Sequence, residues 1–232
     1  MSQPRDAKPC ALAHHVRACA VGRQVVLLDL RHDRYLAVPQ QTPLCEQIDG
    51  WPACTEPAAP PSSRNGQLLA TLLEQGLLTR GGRAQHDRTL PRPARSIDTR
   101  QAADLGLVRG LAVLASAVSH AALTLRFRDL AAIATALAAR RGRFGGACSE
   151  VEACGLAARY AELRPIVFGP RDRCLLDSLA LANFLAHWRL APTFVIGVRT
   201  RPFAAHAWVQ AGPIVLNDRH EHVAQYQPLL VV

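Results

Sequence analysis

Arg171-Asp-Arg-Cys174-Leu-Leu-Asp-Ser-Leu-Ala-Leu181 opens an apolar helical pattern late in the chain, with Leu175, Leu179, Ala182 and Leu185 on one stripe. Two strand-like runs follow, Phe194-Val-Ile-Gly-Val-Arg-Thr-Arg-Pro-Phe-Ala-Ala-His206-Ala-Trp-Val209 and Ile214-Val-Leu-Asn-Asp218. Helix, then strands, in one short segment predicts an α+β domain. The charged residues before Cys174 put that thiol at the start of the helix, where unpaired N–H groups and the helix dipole favour a thiolate. The same N–H groups suit an oxyanion formed by attack on a carbonyl. On a strand, His206, Trp208 and Gln210 share one face, and the small residues around the histidine leave room for a substrate chain. Asp218 closes the next run, where a carboxylate can hold an imidazole in one tautomer.

Each member has an ordinary reading: a free cysteine as a small core hydrophobe, a histidine as a hydrogen-bonded core residue, and Asn217-Asp218 as turn chemistry. A cysteine at a helix start, a histidine on a later strand and an aspartate beyond it form a rarer set. In that order they are a nucleophile, its base and the base's orienter. Around them the reading is plainer. Asp177 and Ser178, within one turn of Cys174, read as capping or solvent-contacting residues ahead of the alternative that they line the cleft. His220 and His222 flank Glu221 in what reads as a solvated loop, and Arg199 and Arg201 as loop residues.

The chain has 232 residues with a formal charge of +9, and its hydrophobic fraction of 49% implies a globular protein. The charge is nearly all arginine, with Lys8 the single lysine. No lysine-bearing face with exposed aromatics stands out, which argues against a nucleic-acid binder. The cysteines Cys10, Cys19, Cys45, Cys54, Cys148, Cys154 and Cys174 form no C-x-x-C pair and no Cys/His cluster with zinc spacing, so neither a metal nor another cofactor is expected. Their odd number, behind a polar N-terminus, fits free thiols in a cytoplasmic protein. The most apolar stretch, Leu105 to Val118, contains Arg109 and is too short to span a bilayer, so no membrane is expected.

Residues 1–82 read as a small domain. Val25–Leu30 and Arg34–Val38 form a hairpin, and Thr42-Pro43 opens a helix over 44–49. A Pro-rich loop with Pro57, Pro60 and Pro61 follows, and Leu68, Leu69, Leu72, Leu73 and Leu77 recur at helical spacing. Residues 83–100 read as a polar linker, and 101–232 as the second domain, with helices expected over 101–119, 123–141 and 150–163.

Arg171-Asp-Arg-Cys174 and Ala205-His-Ala-Trp208 are the features by which the C-terminal half, roughly residues 100–232, resembles the transglutaminase-like cysteine protease domain of lasso-peptide B proteins, the microcin-processing leader peptidases. The resemblance implies a papain-like transglutaminase core in which Cys174, His206 and Asp218 are the catalytic triad. The small domain resembles the winged-helix-like, PqqD-like recognition element of ribosomal peptide biosynthesis. There an extended leader adds a strand to the sheet. Carried over, the strand edge includes Tyr35, Leu36 and Val38, and the groove wall includes Leu69, Leu72 and Leu73. The implied function is leader peptidase in lasso-peptide maturation, with the precursor peptide's leader and an ATP-dependent, asparagine-synthetase-like cyclase as partners. Two alternatives stay open: acyl transfer by the same triad, as in a transglutaminase or amidase, and a non-catalytic winged-helix binding protein.

Overall fold

The computed structural model describes residues 10–39, 42–53, 64–85, 89–145, 149–168 and 173–232. The chain divides into two compact units, residues 1–87 and 88–232.

The first unit is built on two three-stranded sheets. Strands β2 (Val16–Val21), β3 (Gln24–Asp29) and β4 (Arg34–Pro39) form an antiparallel meander with β4 at an edge. Val21 pairs with Gln24 across a two-residue turn, and Gly22 supplies the positive φ (59°) that such a turn needs. Strand β1 (Cys10–Leu12) lies between β5 (Ile48–Asp49) and β6 (Leu78–Arg80), parallel to the first and antiparallel to the second. Helices α1 (Thr42–Gln47) and α2 (Arg64–Glu74) complete the unit. At the end of α2, Gly76 has φ 69° and the Leu77 N–H bonds the Leu72 carbonyl, which closes the last turn in a Schellman arrangement. Val25, Leu27, Leu44, Ile48, Trp51 and Leu72 are buried together in one core.

The hairpin of the sequence reading is β3–β4. Strands β1, β5 and β6 were not expected, because runs of two or three residues carry no readable period. Cys45 is disulfide-bonded, against the expectation of free thiols throughout. Counting cysteines does not show which sulfurs meet. Cys10, Cys19, Cys154 and Cys174 are free. The Pro-rich loop with Pro57, Pro60 and Pro61, together with Cys54 and Cys148, lies outside the described residues.

The second unit carries a five-stranded sheet and a layer of helices. Its elements are β7 (Arg95–Ser96), α3 (Leu107–Phe127), α4 (Leu130–Arg143), α5 (Glu150–Leu163), α6 (Cys174–Ala186), β8 (Thr193–Thr200), β9 (Phe203–Ala211), β10 (Ile214–Val215), α7 (His220–Val223) and β11 (Gln227–Val231). The strand order is β11-β8-β9-β10-β7, antiparallel except for the β10–β7 pair. Side-chain caps begin two of the helices: Asp129 accepts the Ala132 N–H at 2.7 Å, and Ser149 accepts the Glu152 N–H at 3.4 Å. Helix α6 packs on β8 and β9, with α3 and α5 packed against it. Its middle is almost wholly buried, from Asp177 to Ala182 and at Phe184 and Leu185.

Two expectations change here. Part of the stretch read as a linker belongs to the second sheet: β7 pairs with β10, and Pro91 O accepts a hydrogen bond from the Gln210 side chain. Polar composition alone does not distinguish an edge strand from a connector. Helix α3 also runs past Val118 to Phe127, 21 residues that by length and composition could cross a bilayer. It buries Gly110, Leu114, Ala117 and Ala121, and Gly110 lets Leu163 approach so closely that a Cβ there would sit 2.8 Å from its Cδ1.

A candidate thiol–imidazole–carboxylate active site

Three elements bring Cys174, His206 and Asp218 together. Cys174 is the first residue of α6, whose N-cap, Arg173, makes no side-chain capping bond. The Leu175 N–H is thus left to the sulfur, and it bonds there together with the Ala207 N–H. Arg171 and Asp172 lie outside the described residues. His206 sits in β9 opposite Gly197 of β8. A Cβ at Gly197 would lie 2.8 Å from the Trp208 ring, so the glycine lets that indole lie flat beside the histidine. The His206 and Trp208 rings are 6.2 Å apart and tilted by only 17°. Asp218 follows β10, and its Oδ2 lies 2.6 Å from His206 Nε2. A carboxylate only accepts, so Nε2 carries the proton and Nδ1 is left for Cys174.

The charges agree with this relay. The Cys174 thiol is lowered from its ordinary value chiefly by its hydrogen bond to His206, which outweighs the effect of burial. Burial works against a charged His206, but bonds to Asp218 and Cys174 outweigh it and raise the imidazole to about 9. Asp218 is likewise opposed by burial, yet donors from His206, His222 and the Arg219 N–H hold it at about 2. The arrangement favours a thiolate–imidazolium pair.

The remaining contacts fix these elements to one another. Asn217 accepts the Val209 N–H at 2.9 Å and donates to Ser178 Oγ at 2.8 Å, and Ser178 in turn donates to the Ala207 carbonyl at 2.9 Å. One side chain thereby ties the helix of the nucleophile, the strand of the histidine and the loop of the carboxylate. Asp177 is buried rather than solvent-facing: its Oδ1 accepts from the Tyr160 hydroxyl and from Arg164 Nε, each at 2.9 Å. His222 is not in a solvated loop but on α7, with Nδ1 2.8 Å from Asp218 Oδ2. Arg199 lies over the Tyr226 ring at 5.3 Å. Sequence reading gave Asn217 to a turn and His222 to a solvated loop, and did not single out Tyr160 or Arg164. The Tyr160/Arg164 and Asp218/His222 pairs are each four apart, a spacing that becomes informative only once a helical turn is known there.

The site lies in a cleft of about 830 Å³ whose lining includes Arg164, Cys174, His206, Asp218, Glu221 and His222. The nearest group that could take a cation is His206, Asp218 and His222, whose ligand atoms lie within 4.8 Å of one another. Tetrahedral zinc at about 2.0–2.1 Å holds its ligand atoms roughly 3.3 Å apart. The 2.6 and 2.8 Å separations at Asp218 are therefore those of hydrogen bonds.

The leader-binding residues expected in the first unit differ in exposure. Leu36 on the edge strand β4 is exposed, and Tyr35, Leu69 and Leu73 are partly buried. Val38 and Leu72 are buried in the core, so their side chains do not face a ligand.

An α+β fold with a thiol at a helix start, bonded to an imidazole that is backed by a carboxylate, defines a thiol-nucleophile class of protein. The family model of the Transglutaminase-like superfamily matches residues 113–231, which include all three groups, and the chain belongs to that superfamily. A stretch of 48 residues is 47% identical to the Microcin J25-processing protein McjB of Escherichia coli, covering 21% of this chain and 23% of that protein. No solved structure matches the chain.

Proposed function

We propose that this protein is a leader peptidase of lasso-peptide maturation. The observation that carries the proposal is the continuous hydrogen-bonded set Cys174–His206–Asp218 in the cleft. The processing role named for the partly matching relative supports the substrate class. The Cys174 thiolate attacks the carbonyl at the leader–core junction, forming a C–S bond, while N–H groups at the start of α6 stabilise the oxyanion. The His206 imidazolium protonates the leaving amine as the C–N bond breaks. The imidazole then takes a proton from water, whose oxygen attacks the thioester; the C–S bond breaks, restoring the thiolate–imidazolium pair, and the new carboxyl group loses its proton to solvent. Asp218 holds the ring in its tautomer throughout. In the same reading the first unit is a PqqD-like recognition element that receives the leader along β4, with Tyr35 and Leu36 on the edge and Leu69 and Leu73 beside it. An ATP-dependent cyclase then closes the ring.

The test is mass spectrometry of a precursor peptide, encoded beside the gene, after incubation with the protein. Hydrolysis yields two fragments whose masses together exceed the intact peptide by one water. A cross-linked product or loss of ammonia without cleavage overturns hydrolysis in favour of acyl transfer.

The ion pair has its own pH signature. The thiol is lowered, so thiolate persists as pH falls below the ordinary cysteine value; His206 is raised, so its proton persists up to about pH 9. Iodoacetamide labelling of Cys174, read by mass at that residue, is expected well below pH 8.5, the ordinary thiol value of about 8.5 being the reference. Peptide cleavage, which needs the imidazolium as acid, is expected to fall as pH rises through about 9. Labelling that only follows an ordinary thiol titration rules the ion pair out.

A further inference from the structure

Asp218 is shared by two imidazoles. His206 Nε2 and His222 Nδ1 lie 2.6 and 2.8 Å from the same oxygen, Oδ2, while Oδ1 accepts the Arg219 N–H at 2.7 Å. Since that oxygen only accepts, His222 carries its proton on Nδ1 and is a second donor. The two rings stand 4.9 Å apart, and Tyr226 packs on both, 5.2 Å from His206 and edge-on to His222 at 5.4 Å. Apart from His206 and His222, no side chain among the described residues is recorded as a donor to Oδ2.

We propose that His222 is a positioning residue for the reaction: its Nδ1–H holds the Asp218 carboxylate in plane with His206 and takes up part of the charge that would otherwise back the catalytic imidazole. The inference rests on the peptidase reading for its effect on turnover, but not for its effect on His206 itself. A carboxylate held by His206, His222 and a backbone N–H cannot rotate about its Cβ–Cγ bond without losing a bond. A lone-pair oxygen shared by two N–H donors also backs each of them less than it would one alone.

Other charged groups also face the site, among them Arg219, which follows Asp218 and lines the same cleft. From α6, Cys174 faces the opposite side of His206, and Asp177 is paired with Arg164 from the end of α5. From β8, Arg199 lies over Tyr226. On α7, Glu221 lies 3.3 Å from His220, which also contacts Ser96 of β7.

Two substitutions separate donor from ring. His222→Phe keeps an aromatic ring against Tyr226 and removes the donor; His222→Asn places an amide N–H near the position of Nδ1 and removes the ring. The titration of the His206 ring protons is followed by NMR in the full chain, and kcat and KM are measured on the precursor peptide. In His222→Phe the His206 midpoint is expected to rise from about 9 by about half a unit, the size of one shared hydrogen bond. In the same variant kcat is expected to fall about threefold to tenfold with KM unchanged. His222→Asn restores both. Identical His206 midpoints in all three proteins, or a midpoint that follows the ring instead of the donor, overturn the proposal. A peptide left uncut by the wild-type protein overturns the peptidase reading, and a midpoint that still follows the donor then sustains the role of His222.

Discussion

Under the proposed function, Cys174→Ala is expected to abolish peptide cleavage, with a loss of about 10⁴-fold or more, and to leave leader binding at the wild-type level. The Cys174 sulfur is the nucleophile that the proposed reaction uses to form the covalent intermediate, and alanine leaves His206 and Asp218 with nothing to activate. Folding should be unaffected: the side chain is only partly buried, and it begins α6 without capping it. Mass spectrometry of the peptide and calorimetric titration of its leader segment read the two properties separately. Residual cleavage in this variant would remove Cys174 from the chemistry. Loss of leader binding with it would instead show that the leader depends on the second unit.

The largest effect on stability is expected at Trp208. It is fully buried at the centre of the second sheet and packs in a cluster with Val195, Val215 and Tyr226. Its Nε1–H donates to Gln210 Oε1 at 3.2 Å, and Gln210 in turn donates to the Pro91 and Gly212 carbonyls at 2.7 Å each. Trp208→Ala removes the indole for which Gly197 leaves room, opens a cavity and takes away the donor to Gln210. The expected loss is about 3–5 kcal/mol in denaturant unfolding. Because Trp208 lies beside His206, the ring of the base loses a wall at the same time. A loss below about 1 kcal/mol would mean that the neighbouring strands collapse into the gap, and the cluster would not be a rigid support for the site.

Part of the second unit could be read from residue pattern, although the helices expected over 101–119 and 123–141 form as Leu107–Phe127 and Leu130–Arg143. Helix α5 occupies the predicted 150–163, and α6 begins at Cys174 as expected. Long apolar repeats are legible because burial of one face imposes its own period on the chain. Short elements escaped for the converse reason. Strand β7 is two residues long and α7 four, and each is held by its partners, not by a pattern of its own. With α7 unseen, His222 looked like a solvated loop residue, although its spacing from Asp218 is one helical turn.

From the sequence alone came the order helix, strand, strand and the placement of a thiol at a helix start, since each depends on neighbours a few residues away; the roles expected of Cys174, His206 and Asp218 came from the family resemblance. Only the tertiary structure decided which groups surround them. Asn217 bridges Ser178 and Val209, Asp177 turns inward to Tyr160 and Arg164, and Asp218 serves two imidazoles at once. Most of these contacts join residues far apart in the chain. Hydrogen bonding of a buried polar group is settled by whatever partner the packed fold brings within about 3 Å, and sequence distance carries no record of that.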